Sequence, residues 1–323
     1  MRRRFLAGLA LLLGLAACGL PTPKDPEQPV KVAVTRTEAE AVFDRYSDVR
    51  ASSYKLLDPN LLTAVEIGPV LEIDAGAITV HRLLGEKAPP DAVSSTDVEL
   101  TEVYAPRFHE YPLWFVAVVR DDDRELTRVQ VFSRPSAAMP WVLVASPEVS
   151  SAEALPEFAS DAHGALQTLP VGTESGLVAS PESVVKTYAS ALQNRDSQEA
   201  TQIGSDSFVE QVRRADKEIS ALNGVTYEQT WKPHDVEHVV RTRDGGALVF
   251  ANLTREERYK IKKGVSVDWP AGSPQKAFLG GKKLFARGTL RYYHQVLLYV
   301  PAAGDGKPRA IGQYGGIIKG DGY

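Results

Sequence analysis

His234 and His238 bracket an acid in His234-Asp235-Val236-Glu237-His238. This is the H-x-x-E-H spacing that binds zinc when it lies on a helix, because positions four apart then share one face. Here Pro233 precedes the run and Val239 and Val240 follow it, which is a strand-like setting. Four residues of strand separate the imidazoles by roughly 13 Å, whereas zinc takes nitrogen ligands at about 2.1 Å. Both are expected to be solvated strand histidines, and no metal is assigned. Asp121-Asp122-Asp123 offers the oxygens that calcium takes, but without spaced ligands or a glycine; a charged hairpin turn is expected. Ser183-Val184-Val185-Lys186 fits S-x-x-K, and the partner boxes of that serine chemistry are absent. Gly172-Thr173-Glu174-Ser175-Gly176 has the wrong spacing for a nucleophile elbow. Gly280-Gly281-Lys282-Lys283 lacks the length and terminal hydroxyl of a phosphate loop. No catalytic residue and no cofactor is therefore expected.

Cys18 is the only cysteine, and its surroundings are ordered for one reaction. Arg2, Arg3 and Arg4 precede an uncharged run over residues 5–17, which ends in small residues before the thiol. A basic start, a short apolar run and small residues make a secretory signal peptide. The run is too short to span a bilayer, which takes about 20 apolar residues. Leu15-Ala16-Ala17-Cys18 resembles the lipobox of bacterial lipoproteins. That resemblance implies that Leu15, Ala16 and Ala17 are read by a signal peptidase, which cuts before Cys18 once its sulfur carries a diacylglyceryl group. The membrane, through the lipid on Cys18, is then one partner, since two acyl chains suffice for stable anchoring. The site implied is the outer face of the cell membrane. A bacterial lipobox also removes the weight of the glycosylation sequon Asn252-Leu253-Thr254.

The net charge is −4, and the signal peptide would take three arginines with it, so the mature chain is more acidic still. Nucleic-acid binders are usually basic, and no such partner is expected. Residues 18–35 hold Pro21, Pro23, Pro26 and Pro29 and read as an extended tether. Residues 36–147 read as a first α+β domain: a helix carrying Ala39, Val42, Phe43, Tyr46 and Val49 at helical spacing, a short helix over residues 59–66, then strands over 77–83, 98–104, 113–119, 126–132 and 141–145. Residues 148–178, rich in proline, glycine and serine, read as a linker whose Leu155, Phe158, Leu166 and Leu169 are apolar enough to bury. Residues 179–323 repeat the order as a second domain. Ser180-Pro181-Glu182 caps and starts a helix, a helical tract covers 198–222, and strands follow over 225–231, 236–241, 247–253, 259–267, 284–300 and 310–318. The turn Asp244-Gly245-Gly246 marks a hairpin.

The expected class is α+β, two tandem domains with helices packed on a curved antiparallel sheet. The repeated order, with Val42 and Tyr46 matched by Val184 and Tyr188, resembles the cone-shaped fold of the nuclear-transport-factor-2-like superfamily. Gly176-Leu177-Val178-Ala179-Ser180-Pro181 resembles the entry to the second domain in tandem-domain lipoproteins of high-G+C Gram-positive bacteria. The cone resemblance implies an apolar pocket at the open end of the sheet, which Tyr227, Trp231, Tyr292, Tyr293 and His294 are placed to line. The other reading of these residues is core packing, since strands use aromatics for that purpose. The functional expectation is a lipid-anchored binding or scaffolding module with a protein partner in the cell envelope. The alternative is a binder of an apolar small molecule, or an isomerase-like enzyme, using the pocket.

Overall fold

In the computed structural model, strands from both halves of the chain hydrogen-bond into one antiparallel sheet. The structure describes residues 31–86, 98–122, 124–150 and 155–323. Cys18, the residues preceding it, most of the tether and Asp123 lie outside them. Among the described strands, β1 (Lys31–Val32) and β3 (Arg107–Phe108) form a separate pair. The main sheet runs β2 (Val98–Tyr104), β4 (Leu113–Asp121), β5 (Leu126–Arg134), β7 (Glu148–Ser150), β12 (Arg309–Gly322), β11 (Arg287–Val300), β10 (Ala247–Ile261) and β8 (Val225–Pro233). Two further strands join it from the side: β6 (Val142–Ala145) on β5, and β9 (His238–Arg241) on β10. The sheet stays open, with β2 and β8 at its edges. Its seam is short, since β7 reaches β12 only through Glu148 opposite Gln313.

Among the described residues, four helices of two or more turns cover one face. α1 (Arg36–Leu56) starts in a capping box of Thr35 and Glu38, which satisfies two backbone donors at once. α2 (Pro69–Leu84) has proline at its first position and closes on Gly85, whose φ of 66° suits glycine. α3 (Pro181–Gln193) is capped by Ser180. α4 (Ser207–Ser220) is capped by Asp206, which accepts from Val209 N at 2.7 Å, Ala310 N at 3.0 Å and Tyr188 Oη at 3.0 Å. One buried carboxylate thus ties α3, α4 and β12 together. A single turn, α5 (Pro274–Phe278), precedes β11.

Alternation along the strands separates the two faces. Phe115, Ala117 and Val119 of β4 pack under Phe43 and Tyr46 of α1. Ala247, Val249 and Leu253 of β10 pack under Val184, Tyr188 and Leu192 of α3. The intervening residues meet on the other face. Trp114, Val116 and Val118 share one core there with Leu248, Phe250, Leu297 and Ile311. The segment expected as a linker enters the same core through Phe158 and Leu166. It bonds to both halves, Leu166 N to Ala105 O at 3.1 Å and Ala159 N to Arg241 O at 2.9 Å.

Three local expectations change. Residues 77–83, expected as a strand, are the second half of α2. Their β-branched run favours a strand locally, but Pro69, Glu72 and Gly85 punctuate a helix that buries Val70, Ile73, Ile78 and Val80. Residues 59–66, expected as an ordinary short helix, hold a 3-10 turn over Pro59–Ala64, capped by Asp58. The break expected between residues 253 and 259 is absent, and β10 runs through it as a 15-residue strand.

Candidate functional site

The continuity of β10 sets the site. Leu253, Arg255, Glu257 and Tyr259 alternate onto the helix-covered face. Register places Trp231 and Tyr292 on either side of Arg255, Tyr227 beside Tyr259, and His294 beside Leu253. Tyr227, Trp231, Tyr292 and His294, the residues singled out from the sequence, thus lie on one face. Tyr293 points the other way, against His234.

A buried ion pair organises them. Glu257 is 4% exposed and meets Arg255 Nη2 at 3.2 Å. It also accepts from Tyr259 Oη at 2.8 Å and from Tyr227 and Tyr292 Oη, both at 3.1 Å. Burial first, and the Glu257 charge second, push all three phenols above the ordinary tyrosine range. They therefore stay protonated and donate. The Arg255 guanidinium lies 4.0 Å from the Tyr292 ring centroid and 5.4 Å from that of Trp231, a cation–π arrangement. Its Nε is buried without a hydrogen-bond partner.

His294 lies beside this pair, 7% exposed and within 5.3 Å of the Phe208 and Trp231 ring centroids. Neither ring nitrogen has a partner. Burial, and then the Arg255 charge, hold its pKa well below the ordinary imidazole range, so it is neutral. Opposite it, Gly315 of β12 leaves the room the imidazole occupies, since a Cβ there would collide with Nδ1. An orphaned buried polar group costs about 1–3 kcal/mol, and such groups call for an explanation.

A cavity of about 330 Å3 opens against these residues, between α4 and strands β11 and β12. Phe208, Val212, Arg255, Tyr292, His294 and Gln313 contribute to its wall. A second cavity of about 340 Å3 lies between α2 and β12, walled by Ile73, Ala77, Val80, Leu84 and Tyr314. Both include Pro274, Gly315, Gly316 and Ile317, so they are two compartments of one groove over β12. α2 reaches the strand closely at Gly76, where a Cβ would strike the Ile317 carbonyl oxygen.

Sequence reasoning missed a second buried cluster, at the far side of this groove. Asp74 of α2 is met by Arg50 Nε at 3.4 Å, Tyr54 Oη at 3.4 Å and the Tyr314 hydroxyl. Glu66 is fully buried and its carboxyl hydrogen-bonds the neighbouring acid Asp74. Burial and the nearby Asp74 charge raise it well above the ordinary carboxylate range, so it holds a proton.

The other sequence candidates go separate ways. His234 stays exposed and bonds Thr254 Oγ1. His238 is a correction: it is buried against the Trp114 ring, centroids 5.0 Å apart, and burial pushes its pKa down to about 4. Alternation turns it to the inner core with Val240, so the two imidazoles occupy different environments. Asp121 is buried and pairs with Arg128 at 3.6 Å, while Asp122 stands in an exposed turn. Lys186 pairs with Glu182 along α3, and Lys283 with Asp268 at 3.2 Å. Among the described residues, no group of three or more His, Cys, Asp or Glu side chains is placed to hold a metal.

The fold and groove define an open-sheet α+β protein with helices on one face and a two-compartment groove beneath them. The chain belongs to the family described as Domain of unknown function (DUF8094), whose model matches residues 30–322. It is similar to an uncharacterised lipoprotein of Streptomyces coelicolor, 24% identical over 98% of this chain and 94% of the relative. An uncharacterised lipoprotein of Streptomyces avermitilis is 24% identical over 94% of this chain and 89% of its own length. A further Streptomyces coelicolor lipoprotein is 24% identical over 78% of this chain and 76% of its own. No solved structure matches. No helix among the described residues is long and apolar enough to cross a membrane.

Proposed function

We propose that this protein is a lipid-anchored, extracytoplasmic binding protein that takes a small ligand in the groove beside Arg255 and His294. Cys18 carries the anchor; the lipobox-like Leu15-Ala16-Ala17-Cys18 and the lipoprotein relatives support this part. The two α+β halves, residues 36–147 and 179–323, act as the two walls of one binding scaffold. The observation that carries the ligand is Arg255, whose side chain keeps 13% exposure in the wall of a cavity, with its Nε and both His294 nitrogens buried without partners behind that wall. Ligand pockets of about 300–1,000 Å3 with a few converging polar groups are the usual binding geometry, and the compartments of about 330 and 340 Å3 fall in that range.

Native mass spectrometry of the full chain, extracted from the membranes of a high-G+C Gram-positive host, tests this. The expected result is a one-to-one small-molecule adduct that Val212→Trp, which fills the wall at α4, removes while the melting temperature holds. Absence of an adduct from the wild-type chain, or its persistence in Val212→Trp, overturns the reading. Capture of an envelope protein in place of an adduct would return the function to a partner-binding module. Cys18→Ala should move the protein from the membrane fraction to the soluble one; retention in the membrane would remove Cys18 as the anchor.

A further inference from the structure

We infer that the ligand is an amphipathic carboxylate, its head on Arg255 and its apolar chain running over Gly315 and Gly316 into the compartment beneath α2. The inference rests on the groove being a ligand site and adds what the ligand is.

The two compartments differ in chemistry. The first is walled by Arg255, His294, Gln211, Gln275 and Gln313 beside its apolar residues. Arg255 is a donor-only group whose charge does not titrate away, with a side chain 13% exposed. Its one carboxylate neighbour, Glu257, is shared with three tyrosine hydroxyls, so much of that acceptor's capacity goes elsewhere. The Nε stays unpartnered. A carboxylate, which only accepts, complements a guanidinium better than a hydroxyl, which must also place its own proton.

The second compartment is lined by Ile73, Ala77, Val80, Leu84 and Ile317. Its titratable members, His81 and Glu86, meet each other at 3.3 Å. The Tyr314 hydroxyl is already committed to Asp74. This end thus offers an apolar chain contact surface and offers a second charged head little. Between the compartments the floor is Gly315 and Gly316, and Gly315 is exposed in mid-sheet. Two residues without side chains leave a channel in which an extended chain lies flat on the strand. A compact anion would fill only the first compartment.

The test titrates the mature chain carrying Cys18→Ala with dodecanoate, 1-dodecanol and benzoate, following Trp231 emission and confirming stoichiometry by calorimetry. Trp231 sits against Arg255 and reports the head end. Dodecanoate is expected to bind one to one and roughly tenfold or more tighter than dodecanol, as a charged hydrogen bond warrants. Arg255→Gln should erase that preference. Ala77→Phe, which narrows the far compartment and leaves the buried ion pair intact, should weaken dodecanoate and leave benzoate unchanged. Equal affinity for dodecanoate and dodecanol, or benzoate binding without dodecanoate, overturns the inference and leaves the groove as a ligand site. No binding by any probe, together with no native adduct, overturns both.

Discussion

Glu257 in the second half and Glu66 in the first are both buried carboxyls, and the chain meets them differently. Glu257 accepts from three phenols and one guanidinium, so its charge is satisfied within the fold. Glu66 is met instead by a second acid, Asp74. The first cluster is a fully partnered ion pair; the second holds a proton. Fixed pairing therefore marks the Glu257 cluster, beside the groove's polar compartment. A raised carboxyl marks the Glu66 cluster, behind its apolar one. Tyr314 links them, since it bonds Asp74 and lines the apolar compartment.

The sharpest way to break this comparison is Glu257→Ala. It leaves Arg255 buried beside two rings with no counter-ion and strips three hydroxyls of their acceptor. Breaking a buried pair by removing one partner costs about 3–5 kcal/mol. Urea unfolding should show that loss as a lower midpoint at unchanged slope. A loss under about 1 kcal/mol would mean that the network is plastic and that water replaces the carboxylate.

His238 gives the next largest effect and reads the inner core. Its folded pKa lies at about 4, down from a reference value of 6.5. A depressed pKa contributes stability that is full above the unfolded value and lost as pH falls toward the folded one. Between pH 6.5 and about 4 the wild type should lose about 3 kcal/mol from this residue, measured by unfolding at a series of pH values. His238→Phe keeps an aromatic ring against Trp114 and should flatten that part of the profile. Some slope remains, because His294 is depressed in the same direction.

The histidine and the groove also mark where the sequence was readable. Local punctuation carried through: the Ser180-Pro181 start of α3 and the helix face of Phe43 and Tyr46 follow from capping and 3.6-residue spacing. Period-two alternation puts Trp231, Tyr292 and His294 on one face once the strands are placed; Tyr292 and His294 reach the cavity wall, and Trp231 and Tyr227 are not in it. Their charged partners were not readable. Arg255-Glu256-Glu257-Arg258 has the composition of a turn, and only the alternation running on from Leu253 to Tyr259 marks it as strand interior. Asp74 and Tyr314 meet across 240 residues, and no local pattern encodes such a contact. The seam between the halves was equally hidden, since it rests on the three-residue β7 and one pairing with β12. The buried state of His238 depended on which face β9 turns inward, a tertiary choice made by Trp114.

The smallest effect sharpens the comparison most. Glu66→Gln replaces a carboxyl that is already protonated with an amide of the same shape, so stability near pH 5 should change by less than about 1 kcal/mol. At higher pH the two proteins should separate. A raised folded pKa means that the native state holds a proton the unfolded chain has released. Wild-type stability therefore falls as pH rises from the unfolded value of 4.5 toward the folded one. Glu66→Gln has no proton to lose there and should become the more stable protein as pH increases, the reverse of the order expected for a carboxylate in a satisfied pair. Parallel profiles for the two proteins would place the proton on Asp74 instead and make Glu66 the charged member of the couple.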